Sequence, residues 1–102
     1  MQTISRLSQG PPLTGQKTVP TGTAEAIGSG VVGEVLVKIH AENTSPVYLG
    51  GSVDVTVPGG AAPGLQGSPG DIFTFDVSNL DQVCVISTTA GQGVSYWGKK
   101  IL

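Results

Sequence analysis

The stretch EVLVKIHA, residues 34–41, decides the fold class of this chain. Its apolar and polar side chains alternate, with Val35, Val37, Ile39 and Ala41 on one face and Glu34, Lys38 and His40 on the other. A period of two is typical of a β-strand that is buried on one face only. The stretch therefore predicts a strand whose apolar face packs against a second layer.

Further strand-like runs follow, separated by turn residues. The predicted strands lie at about 23–27, 34–42, 46–50, 52–57, 71–77, 82–88 and 93–98. Residues 83–86 are apolar on both faces, which predicts either a central strand covered on each side or a face that meets a neighbouring subunit. No segment of ten or more residues shows a helical period free of Gly and Pro. We expect an all-β protein, a single small antiparallel β-sandwich of about seven to eight strands, jelly-roll or immunoglobulin-like.

Two segments fall outside this pattern. Residues 1–20 carry three prolines and two glycines without a sustained apolar period, so they predict an extended N-terminal arm, and residues 21–102 predict the sandwich domain. Residues 58–70 form a long connection rich in Gly and Pro, in which Leu65 is the anchoring apolar side chain. Loops of this length are either functional or mobile, so a passive or lattice-contacting loop and a recognition loop both stay open.

Composition argues against several functional classes. Only 12% of the 102 residues are charged and the net charge is -2, so nucleic acid is not an expected partner. No run approaches the roughly 20 apolar residues that span a bilayer, and residues 1–20 lack the features of a signal peptide. We expect a soluble protein made in the cytoplasm, without a membrane partner. Cys84 is the single cysteine, which predicts neither an intrachain disulfide nor a metal site.

Candidate catalytic and cofactor motifs have simpler interpretations. Residues 28–33 spell GxGxxG, the fingerprint of a dinucleotide site. That motif needs a helix after the glycines, whereas here they lead into the strand at 34–41, so a turn is predicted. His40, the only histidine, has no evident nucleophile or second ligand nearby in the sequence. We expect a protein that is not an enzyme, with no catalytic residue, cofactor or metal.

Three aromatic residues offer an alternative. Tyr48, Tyr96 and Trp97 could form a platform on which a sugar stacks, although scattered aromatic residues are more often core or interface residues. This alternative function is that of a receptor- or glycan-binding module.

Three segments can be compared as a set: VLVKIHAENTSPVYLGGS at 35–52, SPGDIFTFDVSNLDQVCVIS at 68–87 and TAGQGVSYWG at 89–98. Together they resemble a family of small structural proteins of tailed bacteriophages, the head decoration, cement or head-fibre proteins. With this resemblance, the alternative receptor- or glycan-binding module would lie on a head fibre, tail or baseplate. The resemblance implies a fold and a virion setting, with no catalytic residue to carry over. The long connection at 58–70 and the arm at 1–20 depart from the family pattern.

The resemblance leads to a specific expectation. It implies a capsid decoration or cement protein on the outer capsid surface of the virion, whose partners are the major capsid protein and further copies of itself, with a trimer first among the oligomers. An extended arm can reach neighbouring subunits or add a strand to an exposed edge. The candidate contact residues are Ile4, Arg6, Leu7, Leu13 and Leu65.

Overall fold

A computed structural model describes residues 12–100 as two antiparallel sheets packed face to face. The strands are β1 (Leu13–Thr18), β2 (Glu25–Ala26), β3 (Glu34–Ile39), β4 (Val47–Gly50), β5 (Leu65–Gly67), β6 (Ile72–Phe75), β7 (Cys84–Ser87) and β8 (Gly93–Lys99). A short 3-10 helix, Leu80–Gln82, precedes β7. The first sheet has the order β1-β8-β3-β6 and the second has the order β2-β7-β4-β5. The predicted all-β sandwich is confirmed.

The strand order is that of a jelly roll. Strands β1 to β4 pair in turn with β8, β7, β6 and β5, as they would in one long hairpin folded over on itself. The pairs then alternate between the two sheets, and β3 joins β8 while β4 joins β7. An immunoglobulin domain distributes its strands differently. Of the two predicted topologies, the described residues therefore adopt the jelly roll.

The main core lies between the two sheets and is organised around β3. Val35, Val37 and Ile39 are fully buried, as their alternation predicts. β8 and β6 flank β3 in the same sheet and also turn apolar side chains inward. On β6, Phe73 pairs with Val37 and Phe75 pairs with Val35. Burying one such side chain contributes about 1.5–3 kcal/mol, so these three positions make a large contribution to the free energy of folding.

A second, smaller core lies on the outer face of the second sheet. It is built from Tyr48, Cys84 and Ile86, and the chain covers it with Ala24 and Val55. All residues of β7 are buried. The central strand predicted from residues 83–86 is thus confirmed, and its second face is covered by loops of the same chain.

Residues 52–57 do not form the predicted strand. Residues 51–54 are bends and turns, and the amide of Val55 donates to the carbonyl of Ser52 at 3.2 Å. Thr56 makes only an isolated bridge to Pro63. The alternating valines do not share one buried face. Val55 packs on the second core, while Val53 stays exposed. The glycines on both sides of this segment allow the tight loop.

Two strands occur where the sequence did not predict them. β5, Leu65–Gly67, lies within the predicted loop at 58–70 and pairs with β4. β1, Leu13–Thr18, lies within the predicted arm of residues 1–20 and pairs with β8 over six residues. Both segments are polar and rich in glycine, so they show no strand pattern in the sequence. They become strands because a neighbouring strand provides their hydrogen bonds. The arm boundary at residue 20 is therefore wrong, since the sheet begins at Leu13.

The core around β3 predicts a strong effect of truncation. We expect Ile39→Ala to lower the free energy of unfolding by about 2–4 kcal/mol, because it opens a cavity in a close-packed interior. The matched control is Leu65→Ala on exposed β5, expected to cost less than about 0.5 kcal/mol. Urea unfolding followed by circular dichroism measures both changes, and equal losses would contradict this description of the core.

The second core predicts that Cys84 is unreactive in the folded protein. Its thiol is buried, and this burial, followed by the charge of Asp81, raises the pKa of Cys84. Because the thiolate is the reacting form, we expect labelling by an aromatic disulfide reagent to be at least about tenfold slower in native protein than in urea-unfolded protein. Equal labelling rates would show that Cys84 is accessible.

Candidate functional site

The outer face of the first sheet is an open surface of the sandwich among the described residues. We call it the Trp97 face. Its side chains come from alternate positions of four strands: Thr14 and Gln16 on β1, Ser95 and Trp97 on β8, Leu36 and Lys38 on β3, and Ile72 and Thr74 on β6. The second sheet has its outer face covered by loops of its own chain, whereas no described segment covers the Trp97 face in the same way.

Three exposed apolar side chains mark this face. Trp97 is 56% exposed, Leu36 is 41% exposed and Ile72 is 57% exposed. Trp97 and Leu36 are direct partners across β8 and β3, while Ile72 pairs with Lys38 in the next row. A solvent-exposed tryptophan on a regular sheet presents a large rigid surface that loses little entropy on binding. The face therefore presents a rigid apolar surface to solvent.

A histidine holds one hydroxyl group beside Trp97. Nε2 of His40 and Oγ of Ser95 are 2.7 Å apart, so the two side chains are hydrogen-bonded. The imidazole lies against Gly93, where a Cβ would come within 2.7 Å of Nδ1. Among the described residues no carboxylate hydrogen-bonds to this ring, so the pair lacks the third member of a catalytic triad. Because His40 fixes the Ser95 hydroxyl, this hydroxyl could form an oriented hydrogen bond with a ligand.

Trp97 forms a ridge between two grooves. The first groove, of about 420 Å³, runs along Trp97 and Leu36 towards Gln16, Lys38 and Ser95. The second groove, of about 310 Å³, lies on the other side of the same ridge and ends at Glu34, Thr74 and Lys99. Both grooves are shallow and lie on the sheet surface, which favours an extended ligand over a compact one.

The two grooves differ in charge. In the second groove Nζ of Lys99 lies 3.4 Å from a carboxylate oxygen of Glu34, so its charges are paired. In the first groove Lys38 takes part in neither of the ion pairs found within residues 12–100, and no acidic residue lines that groove. The first groove therefore presents one uncompensated positive charge next to neutral polar groups.

The structure does not bring the three predicted aromatic residues together. Tyr48 belongs to the buried second core on the far side of the molecule. Tyr96 points inward, and its ring covers Gly15 and Gly28, where a Cβ would lie 2.6 Å and 2.8 Å from the hydroxyl oxygen. Only Trp97 faces solvent on the first sheet, because neighbouring residues of a strand point to opposite faces.

Of the predicted capsid contacts, the structure describes Leu13 and Leu65, and these two lie apart. Leu13 packs against the main core from the start of β1. Leu65 is exposed on β5, at the opposite edge of the sandwich from β1. Ile4, Arg6 and Leu7 lie outside the described residues. Of these five residues, Leu65 is the one whose exposure the structure establishes.

The glycine motif at 28–33 lies in the irregular connection between β2 and β3, where no helix follows it, and the amide of Gly33 donates to the carbonyl of Lys99 at 2.8 Å. Within residues 12–100 no group of three or more His, Cys, Asp or Glu side chains is placed to hold a metal ion. The same part of the chain contains no helix that is long and apolar enough to cross a bilayer.

Sequence reasoning missed the contributions of Leu36, Lys38 and Ser95 to the Trp97 face. One signal was present, because Leu36 is an apolar residue on the polar face of β3, between Glu34 and Lys38. The pairing of Leu36 with Trp97 depends on the register of β3 and β8. That register joins residues about 60 positions apart in the chain.

The opposite orientations of two adjacent aromatic residues predict unequal losses of stability when each is truncated. We expect Tyr96→Ala to lower the free energy of unfolding by about 2–4 kcal/mol, because its ring packs over Gly15 and Gly28. Trp97→Ala loses mainly a cross-strand contact, so about 1 kcal/mol or less is expected. Thermal unfolding of the two variants measures the difference, and a larger loss for Trp97→Ala would refute the assignment of faces.

Comparison with known proteins finds no family model, curated protein or solved structure that matches this chain.

Proposed function

We propose that this protein is a structural protein of a tailed-phage virion, a decoration or cement protein that binds the major capsid lattice. The sequence resemblance motivates the proposal, and the jelly-roll topology is compatible with it, since viral capsid proteins and lectins use this architecture. A fold alone does not define a function. A capsid-binding protein also needs a surface that could attach to the capsid.

The observation that carries the proposal is the edge strand β1. It pairs with β8 on one side and has no strand partner among the described residues on the other. With six residues it is the longest of the four edge strands, which otherwise have two, three and four residues. An exposed edge of this length offers backbone groups to an added strand. It also follows directly on residues 1–11 in the chain.

Residues 13–19, which follow residues 1–11 in the chain, pack and hydrogen-bond to the rest of the sandwich. The side chain of Leu13 packs against the main core, and Lys17 forms an ion pair with Glu25 of β2 at 2.5 Å. Val19 is buried, and its amide donates to the carbonyl of Gln92 at 2.9 Å. A contact made by residues 1–11 or by the open side of β1 would therefore be transmitted to the whole domain.

Attachment through such a segment suits a repetitive lattice. Each capsid presents many copies of one binding site, and an oligomer of this protein would engage several of them at once. Effective concentration then raises the overall affinity by about 10²–10⁴-fold over that of one contact. A small domain with modest contacts can thus bind stably to the outer capsid surface.

The test is a deletion that spares β1. We expect removal of residues 2–11 to lower cosedimentation with purified capsids of the parent phage at least about tenfold. It should leave the thermal unfolding transition in place, because the first sheet begins only at Leu13. The double variant Ile4→Ser, Leu7→Ser should reproduce the loss.

The matched control is Val53→Ser, which alters an exposed apolar side chain in the loop over the second sheet. It should bind capsids like the unmodified protein. Undiminished binding by the deletion variant would contradict attachment through this segment, and absence of saturable capsid binding by the full chain would contradict the proposed function itself.

A further inference from the structure

We infer that the Trp97 face binds an acidic saccharide, with a sugar ring stacked on the Trp97 indole and its carboxylate at Lys38. The site uses outward-facing side chains, including Thr14 and Gln16 of β1, whereas strand addition at the β1 edge would use backbone groups. The site also differs from the trio of aromatic residues suggested by the sequence, because Tyr48 and Tyr96 are directed elsewhere.

The indole provides the stacking surface. Trp97 is more than half exposed. It lies on β8, a central strand of the first sheet that is hydrogen-bonded to β1 and β3. The face of an aromatic ring carries negative charge density and attracts the weakly positive C–H groups on the apolar side of a sugar ring. Because the strand is fixed in a sheet, little conformational entropy is lost on stacking.

Polar groups lie beside the indole on the same face. Ser95 is two residues from Trp97, about 6.4–6.8 Å along the strand. Its hydroxyl is held by His40, while Thr14 and Gln16 lie across from Trp97 and Ser95 on β1. Ring hydroxyls extending beyond the indole therefore meet donors and acceptors on the sheet. A few placed polar groups beside an apolar surface are typical of ligand sites.

Charge selects the acidic class. Lys38 lines the first groove without an acidic neighbour there, while the charges of Lys99 and Glu34 in the second groove are paired. A carboxylate on the sugar would give Lys38 its counter-charge at short range. The net charge of -2 on the whole chain opposes this only weakly, since charges more than about 8 Å apart are largely screened at physiological salt.

The same features disfavour a protein partner on this face. Stable protein interfaces bury about 800 Å² on each side around a desolvated apolar centre. Here the exposed apolar side chains are Trp97, Leu36 and Ile72, and each row of the face also contains polar residues. The indole ridge separates two grooves that a flat protein surface would leave unfilled. A chain of sugar rings can follow both grooves.

Titration of the full-length protein with oligosaccharides tests the inference. Trp97 is the single tryptophan, so its fluorescence reports directly on occupancy. Trisaccharides to hexasaccharides of galacturonic acid should change the emission saturably, with a dissociation constant of roughly 1 mM or tighter. Neutral oligosaccharides of glucose of the same length should bind several-fold more weakly.

Variants assign the contacts, with calorimetry as the readout where the fluorophore is removed. Trp97→Ala should weaken binding of the acidic oligosaccharide about tenfold or more, and Trp97→Phe should retain part of the affinity. Lys38→Met should weaken it about threefold to fivefold and remove the preference over the neutral sugar. Val53→Ser, in the loop over the second sheet, should bind the acidic oligosaccharide like the unmodified protein.

Three outcomes would overturn the inference: no saturable binding of the acidic series, equal binding of the neutral series, or a dimer in sedimentation that Trp97→Ala converts to a monomer. The last result would assign the face to contacts between copies of the chain. The variant lacking residues 2–11 should bind the saccharide normally, so failure of capsid attachment and failure of this site are distinguishable.

Discussion

The burial of one face of β3 is the constraint on which the structure depends. Val35, Val37 and Ile39 are fully buried between the sheets, and β3 is hydrogen-bonded to β8 on one side and β6 on the other. A register shift of one residue would turn these side chains to solvent and bring Lys38 into the core. The register of β3 therefore fixes which residues of β8 and β6 face inward, and with them the whole outer face of the first sheet.

The two outer faces of the sandwich have different roles because their strands have different patterns. β7 and β4 are apolar on both sides, so the second sheet needs a cover, which Ala24 and Val55 provide from the loops. β3 and β8 alternate polar and apolar residues, so the first sheet needs none. The open Trp97 face is a direct consequence of this difference. A surface that the fold does not require to be apolar, yet that carries Trp97 and Leu36, is a reasonable place for recognition.

The sequence predicted the strands whose alternation coincides with burial, and β3, β6 and β7 illustrate this. It failed where alternation and hydrogen bonding are uncoupled. Residues 52–57 alternate, yet Val55 packs as part of a loop, because the adjacent glycines turn the chain before a ladder can form. β1 and β5 have little apolar character and are strands only because β8 and β4 provide partners. Edge strands of this kind carry almost no local signal.

For the candidate site, residue order alone establishes that Trp97 and Tyr96 point to opposite faces and that Leu36 shares a face with Lys38, since both statements follow from a period of two. Which of the two aromatic residues faces solvent, and that Trp97 lies beside Leu36 and near Ser95 and Lys38, depend on long-range pairing of β8 with β3 and β1. Contacts between residues distant in the chain form only when the two sheets close over their shared core. Local pattern thus specifies the faces of each strand, and tertiary packing specifies which face becomes a surface.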